Sequence, residues 1–267
     1  MRFLYNTACG RVILRAVKSR PVSAAAGAFM NSRLSKPLIK RFIKKNGIDM
    51  SEYQDEKYRC FNDFFTRRIR PEKRPFDRSP GALVAPCDGN LSVYRVTSGT
   101  VLPIKQCNYT VSDLLSGDTI AERYKDGYCL VFRLTVKNYH RYAYPDSGKK
   151  SENVHIKGVF HTVRPIALRR YPVFVQNTRE YTVIETENFG TVTQVEVGAA
   201  LVGRIKNHDG AKEVVRGCEK GMFLFGGSTI VVLIEAGRAK IDGEIEKITS
   251  EGGEAPVLMG EKIGERI

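Results

Sequence analysis

Phe223-Leu224-Phe225-Gly226-Gly227-Ser228-Thr229 leads without a break into Ile230-Val231-Val232-Leu233-Ile234. The apolar run reads as a buried strand, and the double glycine before it as a turn or bulge that feeds that strand. The same letters carry a chemical reading. Glycine leaves the backbone free to take φ > 0 and lets another group come close to the Gly227 carbonyl. A serine hydroxyl beside that carbonyl is poised for an N→O acyl shift, the first step of backbone self-cleavage.

Working outward, the chain from about residue 82 consists of short β-like runs separated by Gly, Asn and Asp. Examples are Tyr128–Val136, Tyr181–Glu185, Thr191–Val197, Ala200–Ile205 and Thr229–Glu235. Spacings of roughly ten residues without helical patterns between them predict an antiparallel sandwich or barrel, with one helix around Thr110–Leu115. The expected class is α+β, mainly β: a β-rich body preceded by an amphipathic helical region.

Charge divides the chain in the same place. Residues 1–74 hold 18 Lys/Arg against 6 Asp/Glu, a net of +12, while residues 75–267 hold 25 against 23, a net of +2. Within the basic part, Leu34, Leu38, Ile39, Phe42 and Ile43 recur at helical spacing, with Lys36, Lys40, Arg41, Lys44 and Lys45 between them. Such a helix either lies in a bilayer interface with its lysines toward anionic head groups, or packs on the body with a solvated basic face. Pro71, Pro75 and Pro80 mark the boundary, so the expected division is 1–74 and 75–267.

Other classes fall away. No zinc-knuckle, RNP or helix-turn-helix pattern accompanies the basic segment, which disfavours nucleic acid. The six cysteines (9, 60, 87, 107, 129 and 218) form no CxxC pair, which argues against a zinc site or a disulfide scaffold and fits reduced thiols. No apolar run approaches the ~20 residues needed to span a bilayer. Arg11, Arg15, Lys18 and Arg20 interrupt the only candidate signal-peptide core.

Four clusters in the body carry chemistry: Ala85-Pro86-Cys87-Asp88-Gly89, Asn138-Tyr139-His140-Arg141-Tyr142, Gly158-Val159-Phe160-His161-Thr162-Val163, and the glycine–serine stretch itself. Asp88 also suits a turn, and His161 a core position. Asp, His and Ser in that order can form a base-assisted nucleophile, in which the carboxylate orients the imidazole and the imidazole deprotonates the hydroxyl. Chain order does not separate a hydrolase from a self-processing protein. The flanks favour the second, because there is no Gly-x-Ser-x-Gly elbow and Ser228 precedes a strand instead of opening a helix.

Taken together, the segments Phe61–Arg68 (FNDFFTRR), Pro86–Gly89 (PCDG), Tyr139–Arg141 (YHR), Gly158–Val163 (GVFHTV), Asn177–Glu180 (NTRE), Phe189-Gly190, Glu196–Gly198 (EVG) and Phe225–Thr229 (FGGST) resemble the phosphatidylserine decarboxylase proenzymes of the pyruvoyl-dependent decarboxylase family. The resemblance implies cleavage between Gly227 and Ser228 into a β chain of residues 1–227 and an α chain of residues 228–267. Ser228 would become a covalent pyruvoyl group that forms a Schiff base with the substrate amine, in the role pyridoxal phosphate plays elsewhere and with no metal. Asp88 matches the acidic member of the family's activating pair. Many members carry His-Arg-x-His, and here the second histidine position is Ala143. His140 or His161 must then serve; the expected assignment is His161 as activator of Ser228 and His140 in decarboxylation.

The implied reaction converts phosphatidylserine to phosphatidylethanolamine and CO2. The implied setting is the cytoplasmic face of a membrane, with phosphatidylserine in the anionic bilayer as partner, associated α and β chains, and a homodimer. Competing readings are a related aminophospholipid such as an archaetidylserine-type lipid, a lipid-binding protein unable to process itself, and a serine hydrolase using Ser228 directly.

Overall fold

The computed structural model describes residues 20–97, 102–104, 107–158, 177–198, 204–225 and 228–267. Among these, three α-helices precede the first strand: α1 (Arg20–Asn31), α2 (Leu38–Asn46) and α3 (Phe61–Phe65). Helix α2 ends where the sequence supplies a glycine: Gly47 takes φ 60° and its amide returns to the Ile43 carbonyl. Ile39, Phe42 and Ile43 of α2 pack with Met30 of α1 against Phe61, Phe64 and Phe65 of α3. The Phe42 and Phe61 rings meet edge to face at 5.1 Å. At roughly 1.5–3 kcal/mol per buried large apolar side chain, this cluster anchors the helical region to the body.

The strands follow in two groups. The first holds β1 (Ala82–Val84), β2 (Gly89–Arg95), β3 (Leu102–Ile104), β4 (Cys107–Tyr109), β5 (Tyr128–Leu134), β6 (Arg141–Ala143), β7 (Gly148–Lys150) and β8 (Val154–Ile156). The second holds β9 (Arg179–Thr186), β10 (Gly190–Val197), β11 (Ile205–Asn207), β12 (Lys212–Val214), β13 (Glu219–Phe223), β14 (Ser228–Ile234), β15 (Ala239–Ile241), β16 (Ala255–Val257) and β17 (Lys262–Arg266). Two further helices are α4 (Val111–Leu114) and α5 (Gly243–Ser250). A capping box starts α4: the Thr110 hydroxyl accepts from the Asp113 amide at 2.9 Å, and the Asp113 carboxylate accepts from the Thr110 amide at 3.3 Å.

The largest sheet runs β12-β7-β9-β10-β14-β5-β2-β16, with β8 on β9, and two three-stranded sheets run β1-β17-β15 and β11-β13-β6. Every pairing among the named strands is antiparallel. The class is the one expected, α+β and mainly β. The sheets stay open and do not close into a barrel, so of the two architectures foreseen the layered one forms. The apolar run that follows the glycines is the middle of the main sheet. All seven residues of β14 are buried, with β10 on one side and β5 on the other. Alternation sends Val231 and Leu233 to one core with Val131, Val195 and Val197, and Ile230, Val232 and Ile234 to the other with Leu91, Leu130 and Phe132. A strand buried on both faces carries no polar alternation, which explains its unbroken apolar sequence. Between β9 and β10, Gly190 takes φ 65° in the hairpin turn.

The helix expected at Thr110–Leu115 and the strands expected near 128, 181, 191 and 229 are all present within two residues of their expected starts. The amphipathic segment differs in one respect. Its apolar face packs against α3, which buries Ile39 and half-buries Phe42 and Ile43. The exposed large apolar residues of the helical region are Val22, Phe29, Leu34 and Leu38. No helix among the described residues is long and apolar enough to cross a membrane. Most of the expected strand Ala200–Ile205, the basic residues before Arg20, and the residues Gly226, Gly227 and His161 lie outside the described residues.

Candidate active site

Strand register brings three of the four chemical clusters to one end of the main sheet. Ser228 opens β14 and pairs with Leu134 at the end of β5. Asn90 of β2 pairs with Arg133, so Gly89 lies level with Leu134 and Asp88 one residue beyond. Two inter-strand steps of ~4.8 Å put Gly89 and Ser228 about 10 Å apart. His140 follows β5 after the Thr135–Asn138 turn, and its carbonyl accepts from the Phe223 amide at 2.9 Å. The fourth cluster starts at the same end: the Gly158 amide donates to the Thr178 hydroxyl at 3.1 Å, next to the β9 terminus. His161 itself is not among the described residues.

Ser228 is fully buried, and among the described residues its Oγ has no hydrogen-bond partner; the same holds for Thr229 Oγ1. A buried hydroxyl left unpaired costs about 1–3 kcal/mol, so such a group needs a reason. The approach to it is held firmly. Asn62 Oδ1 accepts from the Phe225 amide at 3.0 Å, and Asn62 Nδ2 donates to Asn31 Oδ1 at 2.9 Å. The Phe225 ring packs edge to face on Phe61 at 4.8 Å and Phe65 at 5.2 Å. Helix α3 therefore forms the platform for the residues just before Gly226.

Phe65 also carries His140, whose ring centroid lies 4.1 Å from its own. The imidazole is fully buried, with Nδ1 2.8 Å from the Asn138 carbonyl and Nε2 without a partner among the described residues. A carbonyl can only accept, so the hydrogen is on Nδ1 and the neutral ring presents a bare lone pair at Nε2. Burial, reinforced by the Arg67 charge, pushes His140 down to about 3. It is neutral at physiological pH. Arg67 is buried too, stacked on Tyr53 at 4.1 Å and Phe64 at 4.9 Å, and donates to the Tyr53 hydroxyl at 3.0 Å and the Lys137 carbonyl at 3.4 Å.

Asp88 sits apart from His140. Its partners are Arg74, whose Nε and Nη2 each donate to it at 2.8 Å, and the Met259 amide at 2.9 Å. No hydrogen bond joins Asp88 to His140 or Ser228 among the described residues. The position where the resemblance puts a second histidine lies beside this segment: the Ala143 amide donates to the Pro86 carbonyl at 2.8 Å. Its methyl group offers no imidazole there.

Several groups around the site escape a reading of the sequence. Arg67 and Arg74 look like members of a solvated basic run, yet both are buried. Glu196 and Lys220, buried without exposure, meet at 2.8 Å through both carboxylate oxygens, and Lys220 also donates to Asn207 at 3.0 Å. The one local hint was Glu196 in a strand of Val and Thr, where a charge demands a buried partner. Among the described residues no cluster of three or more His, Cys, Asp or Glu is arranged to hold a metal ion.

Residues 61–265 match the family model described as phosphatidylserine decarboxylase. The chain belongs to the phosphatidylserine decarboxylase family. It is 45% identical over 266 residues to phosphatidylserine decarboxylase proenzyme 2 of Clostridium acetobutylicum, covering 99% of this chain and 91% of that protein. A phosphatidylserine decarboxylase proenzyme of Ruminiclostridium cellulolyticum is 40% identical over 270 residues, covering 99% and 90%. Another, of Clostridium botulinum, is 38% identical over 272 residues, covering 100% and 92%. The family match thus extends beyond FGGST through β17, which includes Met259 beside Asp88, and the decarboxylase family is a family of carboxy-lyases.

Proposed function

We propose that this chain is a self-processing phosphatidylserine decarboxylase that cleaves itself between Gly227 and Ser228. The observation that carries the reading is the Ser228 hydroxyl, buried and unpaired at the head of β14 in a decarboxylase-family chain. Ser228 Oγ attacks the Gly227 carbonyl carbon, the peptide C–N bond breaks, and an ester links the two residues while the hydroxyl proton passes to a base. Elimination across the serine Cα–Cβ bond then releases the Gly227 carboxylate, and hydrolysis with loss of ammonia leaves a pyruvoyl group on residue 228. That group, once formed, supplies the electron sink for the charge left when CO2 departs.

The chain's own residues fit these needs. Strand β14 pairs Ser228 with Leu134 of β5 and Thr229 with Val197 of β10, so the head of the strand is held from the C-terminal side of the proposed scissile bond. Asp88 acts as the acidic partner of an activating histidine. With Ala143 in place of the usual second imidazole and His140 not bonded to Asp88, His161 takes that role. His140, neutral with a free Nε2, accepts a proton or hydrogen bond from the substrate side. The enzyme works at a membrane surface, where the exposed Leu34 and Leu38 meet the interface and the exposed Arg33, Lys36 and Lys40 face anionic head groups.

The decisive experiment is denaturing electrophoresis with intact mass. Two fragments are expected, the smaller beginning at position 228 and blocked to Edman degradation. A preparation that binds lipid but remains one chain of 267 residues would refute self-processing. Release of CO2 from phosphatidylserine vesicles, compared with other serine-bearing lipids, tests the substrate.

A further inference from the structure

The Asp88 carboxylate is an acceptor with about four lone-pair sites. Three are occupied in the structure. Oδ1 accepts from Arg74 Nε at 2.8 Å and from the Met259 amide at 2.9 Å, and Oδ2 accepts from Arg74 Nη2 at 2.8 Å. Both side chains are withdrawn from solvent, Arg74 at 7% and Asp88 at 3% exposure, so salt screens the pair much less than a surface one. Arg74 is fixed in turn: its Nη1 donates to the Lys73 carbonyl at 2.7 Å and its Nη2 to Glu52 at 3.2 Å. Pro71 opens the 3-10 turn Pro71–Lys73 that delivers it.

We propose that Arg74 is the positioning residue for Asp88 in self-cleavage: its planar fork locks the carboxylate and leaves a single acceptor site, on Oδ2, for the N–H of the imidazole that activates Ser228. This rests on the self-processing reading above. A lysine at 74 would supply charge without a fork, so the geometry is specific to guanidinium. The groups facing Asp88 from the surrounding elements are Arg74 and, through it, Glu52, with Tyr53, Cys87 and Tyr139. Burial drives both tyrosines and the thiol upward, Tyr139 to about 12, so all three stay uncharged at neutral pH. Burial alone would lower Arg74, but the Asp88 hydrogen bonds and charge, and then Glu52, outweigh it and hold the guanidinium above its ordinary value. Arg74 is the cation among these groups that bonds Asp88 directly. The arrangement also crosses the proposed scissile bond, since Arg74 and Asp88 precede it and Met259 follows it.

The test follows precursor disappearance on denaturing gels from pH 4 to 9 for wild type, Arg74→Met, Arg74→Lys and Asp88→Asn, each checked for folding by circular dichroism. Arg74→Met is expected to slow cleavage at least about tenfold, because the carboxylate then loses the fork that fixes its orientation. Arg74→Lys, which restores the charge without the fork, should recover only part of that loss. The proposal is overturned if a folded Arg74→Met cleaves at the wild-type rate. It is overturned as well if Arg74→Lys is indistinguishable from wild type, or if neither variant folds, since Arg74 is then purely structural. Asp88→Asn separates the two levels. If it cleaves normally, the role of Asp88 in the proposed function fails; if it blocks cleavage while Arg74→Met does not, only the Arg74 assignment fails.

Discussion

Lys220 of β13 and Glu196 of β10 form an ion pair with no exposure on either side chain, joining the small β11-β13-β6 sheet to the main sheet. Burial pushes Glu196 up and Lys220 down, each against the pull of the other's charge. Removing one member strands the other. Lys220→Met alone is expected to destabilise the fold by about 3–5 kcal/mol in denaturant titrations. The double variant Glu196→Leu/Lys220→Met should recover much of that loss; equal destabilisation of single and double variants would contradict this account.

Ser228→Ala should leave one uncleaved chain and, unusually for a proposed active-site change, should not weaken the fold. It removes an unpaired buried hydroxyl, whose cost is about 1–3 kcal/mol, so stability is expected to stay level or rise by up to about 1 kcal/mol. Urea midpoints of the alanine variant and an uncleaved wild-type sample decide this. A clear loss of stability would show that the hydroxyl has a partner.

His140 makes folding pH-dependent. The folded ring protonates at about 3 and the unfolded ring near 6.5, so between those values the unfolded chain binds more protons and stability rises with pH. The full span corresponds to about 4–5 kcal/mol, present above pH 6.5 and lost as pH falls toward 3. His140→Phe should flatten the stability curve across that window relative to wild type. Parallel curves for the two proteins would refute a buried neutral imidazole.

Cleavage at 227–228 should not release the C-terminal piece. Residues 228–267 supply β14 to the middle of the main sheet, β16 to its edge on β2, and β17 between β1 and β15. The two fragments are therefore expected to co-elute in gel filtration and to separate only in denaturant. Elution of a free small chain under native conditions would contradict the topology.

Membrane binding should depend on the exposed part of the helical region. Reversing Lys36 and Lys40 to Glu changes four units of charge at roughly 1 kcal/mol each near an anionic surface. Sedimentation with phosphatidylserine-containing vesicles is expected to fall by more than about tenfold, while the denaturation midpoint barely moves because both side chains are solvated. Undiminished sedimentation would place the lipid contact elsewhere.

Local pattern was enough for much of this molecule. The apolar run after Ser228, the short helix at Thr110–Leu115 and the antiparallel runs near 128, 181 and 191 were all legible, because propensity and alternation act over a few residues. Asp88, His140, His161 and Ser228 stood out as candidates on residue type and flanks. The unbroken sequence of β14 also declared a buried strand, and the structure makes it the centre of the largest sheet.

What the letters left open depends on contacts between distant segments. Arg74 reads as one more charge in a basic run until Asp88, 14 residues later, accepts its fork. Phe65 becomes the support of His140 only after α3 docks 75 residues back in sequence against the β5–β6 turn. The open sheets, instead of a closed barrel, follow from which edges find partners, and α3 covers a face of α2 that periodicity alone would offer to a membrane. Burial and ion pairing are properties of the assembled chain, so no short window encodes them. Ser228 follows the same division: its sequence marks it as a hydroxyl after two glycines, and tertiary packing buries that hydroxyl with no partner among the described residues.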